Sequence, residues 1–315
     1  NDGYTIGGIY EADGPIRDYF DLIYDKDFYY GCSTFERAEE KLISNSIAKL
    51  ISRAKVIDSD IDYVISGDLE NQIAASDYAM RDFNIPFLGI YSACATFVSS
   101  IIILANSING RLIKEGLAFT SSHNLCSEKQ FRFPVEYGAL KPIYSTFTCT
   151  GSVGCNVSKY PSRIKVISST IGSVVDYGIK DANNMGAVMA PSAVDTLIKH
   201  LEYTNTKVND YDLILTGDLG LYGADLFKMI LKKDYGINIR NYIDSGSIIY
   251  NKEQEKYSGG SGPVCLPLVL FNNILNNKRY KKIIVIGTGS LHCPTLVNQK
   301  KSIPSTSHLI SLEVE

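Results

Sequence analysis

Two stretches of this 315-residue chain say nearly the same thing: Ile61-Asp-Tyr-Val-Ile-Ser-Gly-Asp68-Leu69 and Tyr211-Asp-Leu-Ile-Leu-Thr-Gly-Asp218-Leu219. Each follows an amphipathic helical pattern and a short Asp-containing turn. The first pattern is Thr34–Arg53; the second is Ala190–Tyr203, with Pro191 suited to a first helical turn. The parallel continues downstream. A buried strand at Ile85–Ile90 and an elbow at Cys94 are echoed by a strand at Ser247–Tyr250 and the turn Ser258–Cys265. Helices at Phe97–Ile108 and Leu266–Asn276 follow, then strands at Leu117–Ser121 and Ile283–Gly287. Helix, strand, strand, helix, strand in both halves predicts an α/β fold in which helices cover mostly buried sheets. Duplication predicts a pseudo-twofold, with halves at 1–160 and 161–315 joined near Lys159–Arg163, where Tyr160-Pro161-Ser162 breaks the pattern. The stretch Asn124–Val157 finds no counterpart of equal length. A long loop of that kind covers a site or makes a homodimer contact.

Composition excludes several classes. A net charge of −3 leaves no electrostatic footprint for nucleic acid and no polybasic membrane stripe. No run of 18 apolar residues marks a membrane span. The 7 cysteines form no CxxC pair or metal pattern, and the odd count fits a reducing compartment. The first residue is Asn, not Met, so the native start is expected upstream and a removed leader stays open.

Cys94 lies between a strand and an apolar helix, where N–H groups and the helix dipole favour a thiolate. It is either an acyl-accepting nucleophile or a small buried hydrophobe. His123 follows the strand next to that helix, at the sheet end where ligands gather, and His292 holds the equivalent place in the second half. His200 and His308 read as structural or exposed. Asp68 and Asp218 are read first as helix caps and second as acid/base or cation-binding groups. Asn71 and Gln72 offer neutral donors. Gly259, Gly260 and Gly262 either bring backbone N–H groups to an anion or make a tight turn. Arg132 and Lys141 are the nearest cations for an anionic ligand.

The duplicated half with its elbow cysteine resembles the thiolase superfamily, a layered αβαβα arrangement. The similarity narrows at Gly67-Asp-Leu-Glu-Asn-Gln72, Tyr91-Ser-Ala-Cys-Ala-Thr96 and Thr120-Ser-Ser-His123-Asn124. It continues at Gln130-Phe-Arg-Phe-Pro-Val-Glu-Tyr-Gly138, Gly178-Ile-Lys-Asp181, Thr216-Gly-Asp-Leu219 and Gly259-Gly-Ser-Gly262. Over nearly the whole chain these motifs resemble the stage V sporulation protein AD (SpoVAD) family. That resemblance implies a protein of endospore-forming bacteria that binds dipicolinic acid, with calcium as a possible companion and no other cofactor. It implies membrane-channel partners, a place at the inner spore membrane or in the cytoplasm, uptake during sporulation and release in germination, and a homodimer. Read from residue type and position, the candidate ligand-binding set is Cys94, His123, Asn71, Gln72, Gly259, Gly260 and Gly262. Two stretches depart from the family: Pro263-Val-Cys265-Leu-Pro267 and Ser290-Leu-His292-Cys293-Pro294. Thiolase-type enzymes draw a His or Asn and a further His from the second half. Here those places read Gly217-Asp218-Leu219 and Gly259-Gly-Ser-Gly262, so the expectation is a binder and not an enzyme. The alternatives are an acyltransferase acting through Cys94, or a structural subunit with a vestigial pocket.

Overall fold

The computed structural model describes residues 3–132 and 140–315. Part of the motif from Gln130 to Gly138 therefore lies outside the described residues. The helices are α1 (Ile9–Ala12), α2 (Phe35–Ala54), α3 (Ala74–Met80), α4 (Thr96–Asn109), α5 (Asn124–Phe131), α6 (Met185–Thr204), α7 (Gly220–Tyr235), α8 (Ser245–Ile248), α9 (Cys265–Val269) and α10 (Pro294–Asn298). The strands are β1 (Gly3–Gly7), β2 (Leu22–Ile23), β3 (Tyr63–Gly67), β4 (Phe87–Gly89), β5 (Glu115–Ser122), β6 (Phe147–Thr148), β7 (Gly151–Ser158), β8 (Ile164–Ile171), β9 (Leu213–Thr216), β10 (Tyr242–Asp244), β11 (Gly260–Ser261), β12 (Lys282–Ser290) and β13 (Ser305–Val314).

Strand order displays the duplication. The first sheet runs β2-β1-β7-β5-β3-β4 and the second β10-β9-β12-β13-β8. Apart from β2, the second is the first read backwards, with β8 for β1, β13 for β7, β12 for β5, β9 for β3 and β10 for β4. The pairing senses agree as well. β3 lies parallel to β4 and β5 while β7 is antiparallel to β5 and β1, and β9, β10, β12, β13 and β8 repeat this.

Five layers result. α2 packs on the outer face of the first sheet, through a core of Leu42, Ile43, Ile47 and Phe119. α6 and α7 cover the second sheet through Met189, Leu197, Phe227 and Ile284. Between the sheets lies α4, against β3 and β5 on one side and β12 and β13 on the other. A helix buried from both sides must be apolar nearly all round, and Phe97, Val98, Ile101, Ile102 and Leu104 make it so. Each such side chain contributes about 1.5–3 kcal/mol on burial. The order is αβαβα, as expected.

Caps explain most boundaries. Thr34 accepts from the Arg37 N–H at 3.2 Å to start α2, and Lys55 ends it in the left-handed conformation. Five expectations need correction. α6 starts at Met185, not Ala190: Asn184 caps it by accepting from the Ala187 N–H at 3.3 Å, and Pro191 sits inside the helix, unable to bond the Ala187 carbonyl. The expected strand at Ser247–Tyr250 is helical, because Asp244 accepts from the Ser247 N–H at 3.1 Å; the strand is β10, just before it. β4 is shorter than expected and lies at a sheet edge, with Leu88 47% exposed. The stretch Asn124–Val157 is only partly loop, since it contains α5 and most of β7, the partner of β13 in the repeat. The predicted helix Leu266–Asn276 begins as α9 and passes into a π-helical turn at Leu270–Ile274. Among the described residues, no helix is long and apolar enough to cross a membrane.

Candidate functional site

The two Gly-Asp motifs end β3 and β9 at equivalent places, yet their carboxylates do different work. Asp68 accepts from the backbone N–H groups of Glu70 at 2.8 Å and Ser76 at 2.7 Å, which satisfies the first turn of α3. Asp218 caps nothing. It accepts from the Gly262 N–H at 3.0 Å and from Thr288 Oγ1 at 2.6 Å, and it faces the Cys94 thiol. The cap of α7 comes instead from Asp244, which accepts from the Leu219 and Gly220 N–H groups.

Cys94 stands two residues ahead of Thr96, the first residue of α4, in a 3-10 turn that opens at Ala93 with φ +48°. A left-handed non-glycine residue there stores backbone strain and sets the elbow that turns the sulfur inward. The thiol and the Asp218 carboxyl, one from each half, line the same cleft. Burial, with the Asp218 charge next, pushes the thiol well above its ordinary value, the opposite of what the helix position favours. Burial also raises Asp218, to about 6. At rest the pair is a neutral thiol beside a carboxyl group.

Thiol and carboxylate open on a cleft with about 520 Å³ of unfilled space, part of it continuous with solvent. The room inside the walls themselves is about 60 Å³, well under the ~300–1,000 Å³ of small-molecule sites, so a ligand larger than a few waters enters by parting those walls. The cleft's apolar walls come from Leu69, Tyr91, Phe131, Met185 and Met189. Among the described residues, three polar atoms on its lining are buried without a partner: Ser127 Oγ, Ser290 Oγ and His292 Nδ1. An orphaned buried polar atom costs about 1–3 kcal/mol, so three at one cleft call for a ligand or water. Arg132 reaches the same wall, donating to Glu128 Oε1 at 2.8 Å and to the Thr146 carbonyl at 3.0 Å. Lys141 Nζ lies 2.6 Å from the other oxygen of Glu128. Two cations around one carboxylate leave a net positive charge on that wall. Burial, then the Arg132 charge, lowers His292 to about 4, so it is neutral at ordinary pH.

Of the residues expected at the site, Cys94, Gly262, Arg132 and His292 line this cleft, and Lys141 supports it. Asn71, Gln72, Gly259, Gly260 and His123 do not line it. Asn71 and Gln72 are exposed or partly so, and Gln72 holds φ +61° in a tight turn. His123 is fully buried. Its Nδ1 accepts from the Leu125 N–H at 3.2 Å, which leaves Nε2 to donate to the Phe28 carbonyl at 2.8 Å, and the ring stacks on Phe35. It is the N-cap of α5, and burial lowers it to about 4. The glycine turn makes no free anion cradle: Gly259 N–H bonds the Lys256 carbonyl and Gly262 N–H bonds Asp218. His200 is also buried, with Thr170 Oγ1 2.9 Å from its Nδ1. Sequence reasoning missed Ser127, Glu128, Ser290, Met185 and Met189 and read Asp218 as a cap. The departure at Ser290-Leu-His292 was the one legible signal, since it marks two of the orphaned groups.

Known proteins fall in line with this geometry. OleA from Xanthomonas campestris superposes with a TM-score of 0.59 at 14% identity, covering 87% of this chain and 80% of that one. The 3-oxoacyl-[acyl-carrier-protein] synthase III of Aquifex aeolicus gives 0.53 at 11% identity, covering 86% and 82%. At such identities the likeness shows a thiolase-like fold and nothing of the chemistry. Stage V sporulation protein AD of Bacillus subtilis (strain 168) is 38% identical over 317 residues, 99% of this chain and 93% of that protein. The model of that family matches residues 2–313, and the chain belongs to the stage V sporulation protein AD (SpoVAD) family.

Proposed function

We propose that this chain is a non-catalytic thiolase-fold protein that binds dipicolinate, pyridine-2,6-dicarboxylate, in the Cys94 cleft. It would serve the ligand's uptake into the endospore and its release in germination, working with membrane channel proteins at the inner spore membrane. One observation carries the reading. Ser127, Ser290 and His292 present unpartnered buried polar atoms beside the Arg132 guanidinium, between apolar walls. A flat aromatic dianion needs donors for its carboxylates and apolar surface for its ring faces. The thiol supports the same reading, because a sulfur held protonated by burial, with the Asp218 charge next, is a poor nucleophile. Calcium enters where the ligand's second carboxylate approaches Asp218, since a cation between them removes the repulsion.

Calorimetric titration with dipicolinate, with and without calcium, tests this on wild type, Cys94→Ala and Arg132→Gln. Saturable binding is expected, weakened by Cys94→Ala and at least about tenfold by Arg132→Gln, which removes a charged hydrogen-bond donor. No binding by well-folded protein sinks the proposal.

A second reading has its own support in the elbow itself: Ala93 at φ +48° aims Cys94 into the cleft ahead of a helix, as an acyl-accepting nucleophile requires. Incubation with acyl-CoA panels followed by intact mass decides it. An adduct on Cys94 supports acyl transfer; a clean panel removes it.

A further inference from the structure

Behind the cleft wall lies a second cluster. Glu36, in the first turn of α2, Glu70, just past β3, and Cys126, on α5, each bring one donor atom to within 4.8 Å of the other two. Glu39, one turn along α2 from Glu36, adds a buried carboxyl held by Ser121 Oγ at 2.7 Å. Acidic clusters alone mean little. Here, however, Glu70 is only 9% exposed and its Oε1 has no hydrogen-bond partner among the described residues. A buried carboxylate oxygen left without a donor, beside two further ligand atoms, is an acceptor in want of a cation.

The neighbouring cation does not meet that want. Lys129 Nζ bonds Glu36 Oε1 at 2.6 Å from the exposed side and is itself 63% exposed. The remaining charged neighbours, Glu39 and Asp68, are acidic. Burial and these carboxylates hold Glu70 up at about 7 and push the Cys126 thiol far above its ordinary value. A bound cation reverses both effects.

We propose that Glu36, Glu70 and Cys126, with Glu39 beside them, form a divalent metal site of the zinc class. A thiol and two or three carboxylates suit zinc, whereas calcium and magnesium take oxygen ligands only. Bonds of about 2.0–2.3 Å to one tetrahedral ion set its ligand atoms about 3.3–3.8 Å apart. Small rotamer shifts close the gap from the present 4.8 Å limit. Binding forms a metal–sulfur bond and releases the Cys126 proton to solvent. Glu36, half-buried, provides the way in. The ion would join α2, the β3 loop and α5, whose Ser127, Glu128 and Arg132 line the cleft, as does Leu69 beside Glu70.

Cobalt is the probe, added to chelator-treated full-length protein. A thiolate-to-cobalt charge-transfer band is expected, saturating near one equivalent and displaced by zinc. Cys126→Ser abolishes the band, while Glu70→Gln and Glu36→Gln weaken the affinity at least about tenfold. Glu36→Gln sits at a partly exposed position and keeps the fold, and metal-free melting temperatures check all variants. No band, a band that persists in Cys126→Ser, or an affinity unmoved by both glutamine variants overturns the site.

Discussion

Asp218→Asn separates the two ways a carboxyl group can act on a cysteine. In the structure the Asp218 charge lies close enough to Cys94 to raise the thiol, second only to burial. Asparagine keeps the volume and removes the charge. An interaction with a charged group is worth about 1.5–3 kcal/mol, and its removal lowers the thiol, at about 1.36 kcal/mol per tenfold in ionisation. Thiolate at neutral pH then rises about 10- to 100-fold. Sulfur nucleophilicity falls with its basicity, with a Brønsted slope of about 0.4–0.5, so the net gain toward a small neutral disulfide is about 3- to 16-fold. The assay follows modification of the Cys94 peptide by mass spectrometry, which sets aside the six other thiols, Cys293 among them, exposed at the surface. Faster modification in Asp218→Asn is the expected result. An unchanged rate refutes the electrostatic argument. A slower one makes Asp218 the base that takes the thiol proton and shifts weight to acyl transfer.

Further expectations concern stability and assembly. Glu11 is fully buried, bonded by Tyr250 and the Thr150 N–H, and burial raises it to about 7 from 4.5. The folded state then holds a proton that the unfolded state has lost, so stability present below pH 4.5 declines as pH rises to about 7, by roughly 3 kcal/mol. Urea titrations across that window will show a flatter profile in Glu11→Gln; identical profiles would exclude Glu11 as the source. Gly67→Ala places a carbon 2.0 Å from the Ile90 carbonyl oxygen. Neither backbone can give way there, so a loss of about 3 kcal/mol or more is expected on chemical denaturation. A variant as stable as wild type counts against that packing. His123→Ala removes an α5 cap and an aromatic contact. The expected cost is about 2–4 kcal/mol; unaltered unfolding would reopen a site role. β4 is an open sheet edge with Leu88 and Tyr91 exposed, which supports a homodimer across that edge. Light scattering should give twice the chain mass, and a monomer mass rules the dimer out.

The order of helices and strands was legible in residues 61–69 and 211–219 because a repeated motif with the period of a buried strand leaves few folds to choose from. The layers followed, since α4 is apolar on all sides and only a position between two sheets buries it. Boundaries were less legible. Proline at 191 reads as a helix start by local preference, but the Asn184 cap and packing on the second sheet carry α6 past it. β7 was hidden in a stretch with no matching sequence, because a strand paired on both sides is held by its neighbours more than by its own residues. Cys94 stood out because an elbow is a local feature. What Cys94 faces is not local. Asp68 and Asp218 occur in the same motif, and only the meeting of the halves turns one into a cap and sets the other against a thiol. The cleft is likewise assembled from Ser127 and Arg132 at α5, Met185 and Met189 on α6, and Ser290 and His292 at the end of β12. Spacing along the chain carries secondary structure, through backbone periodicity. Side chains distant in sequence converge only where packing brings their elements together, and there the tertiary structure alone decided the site.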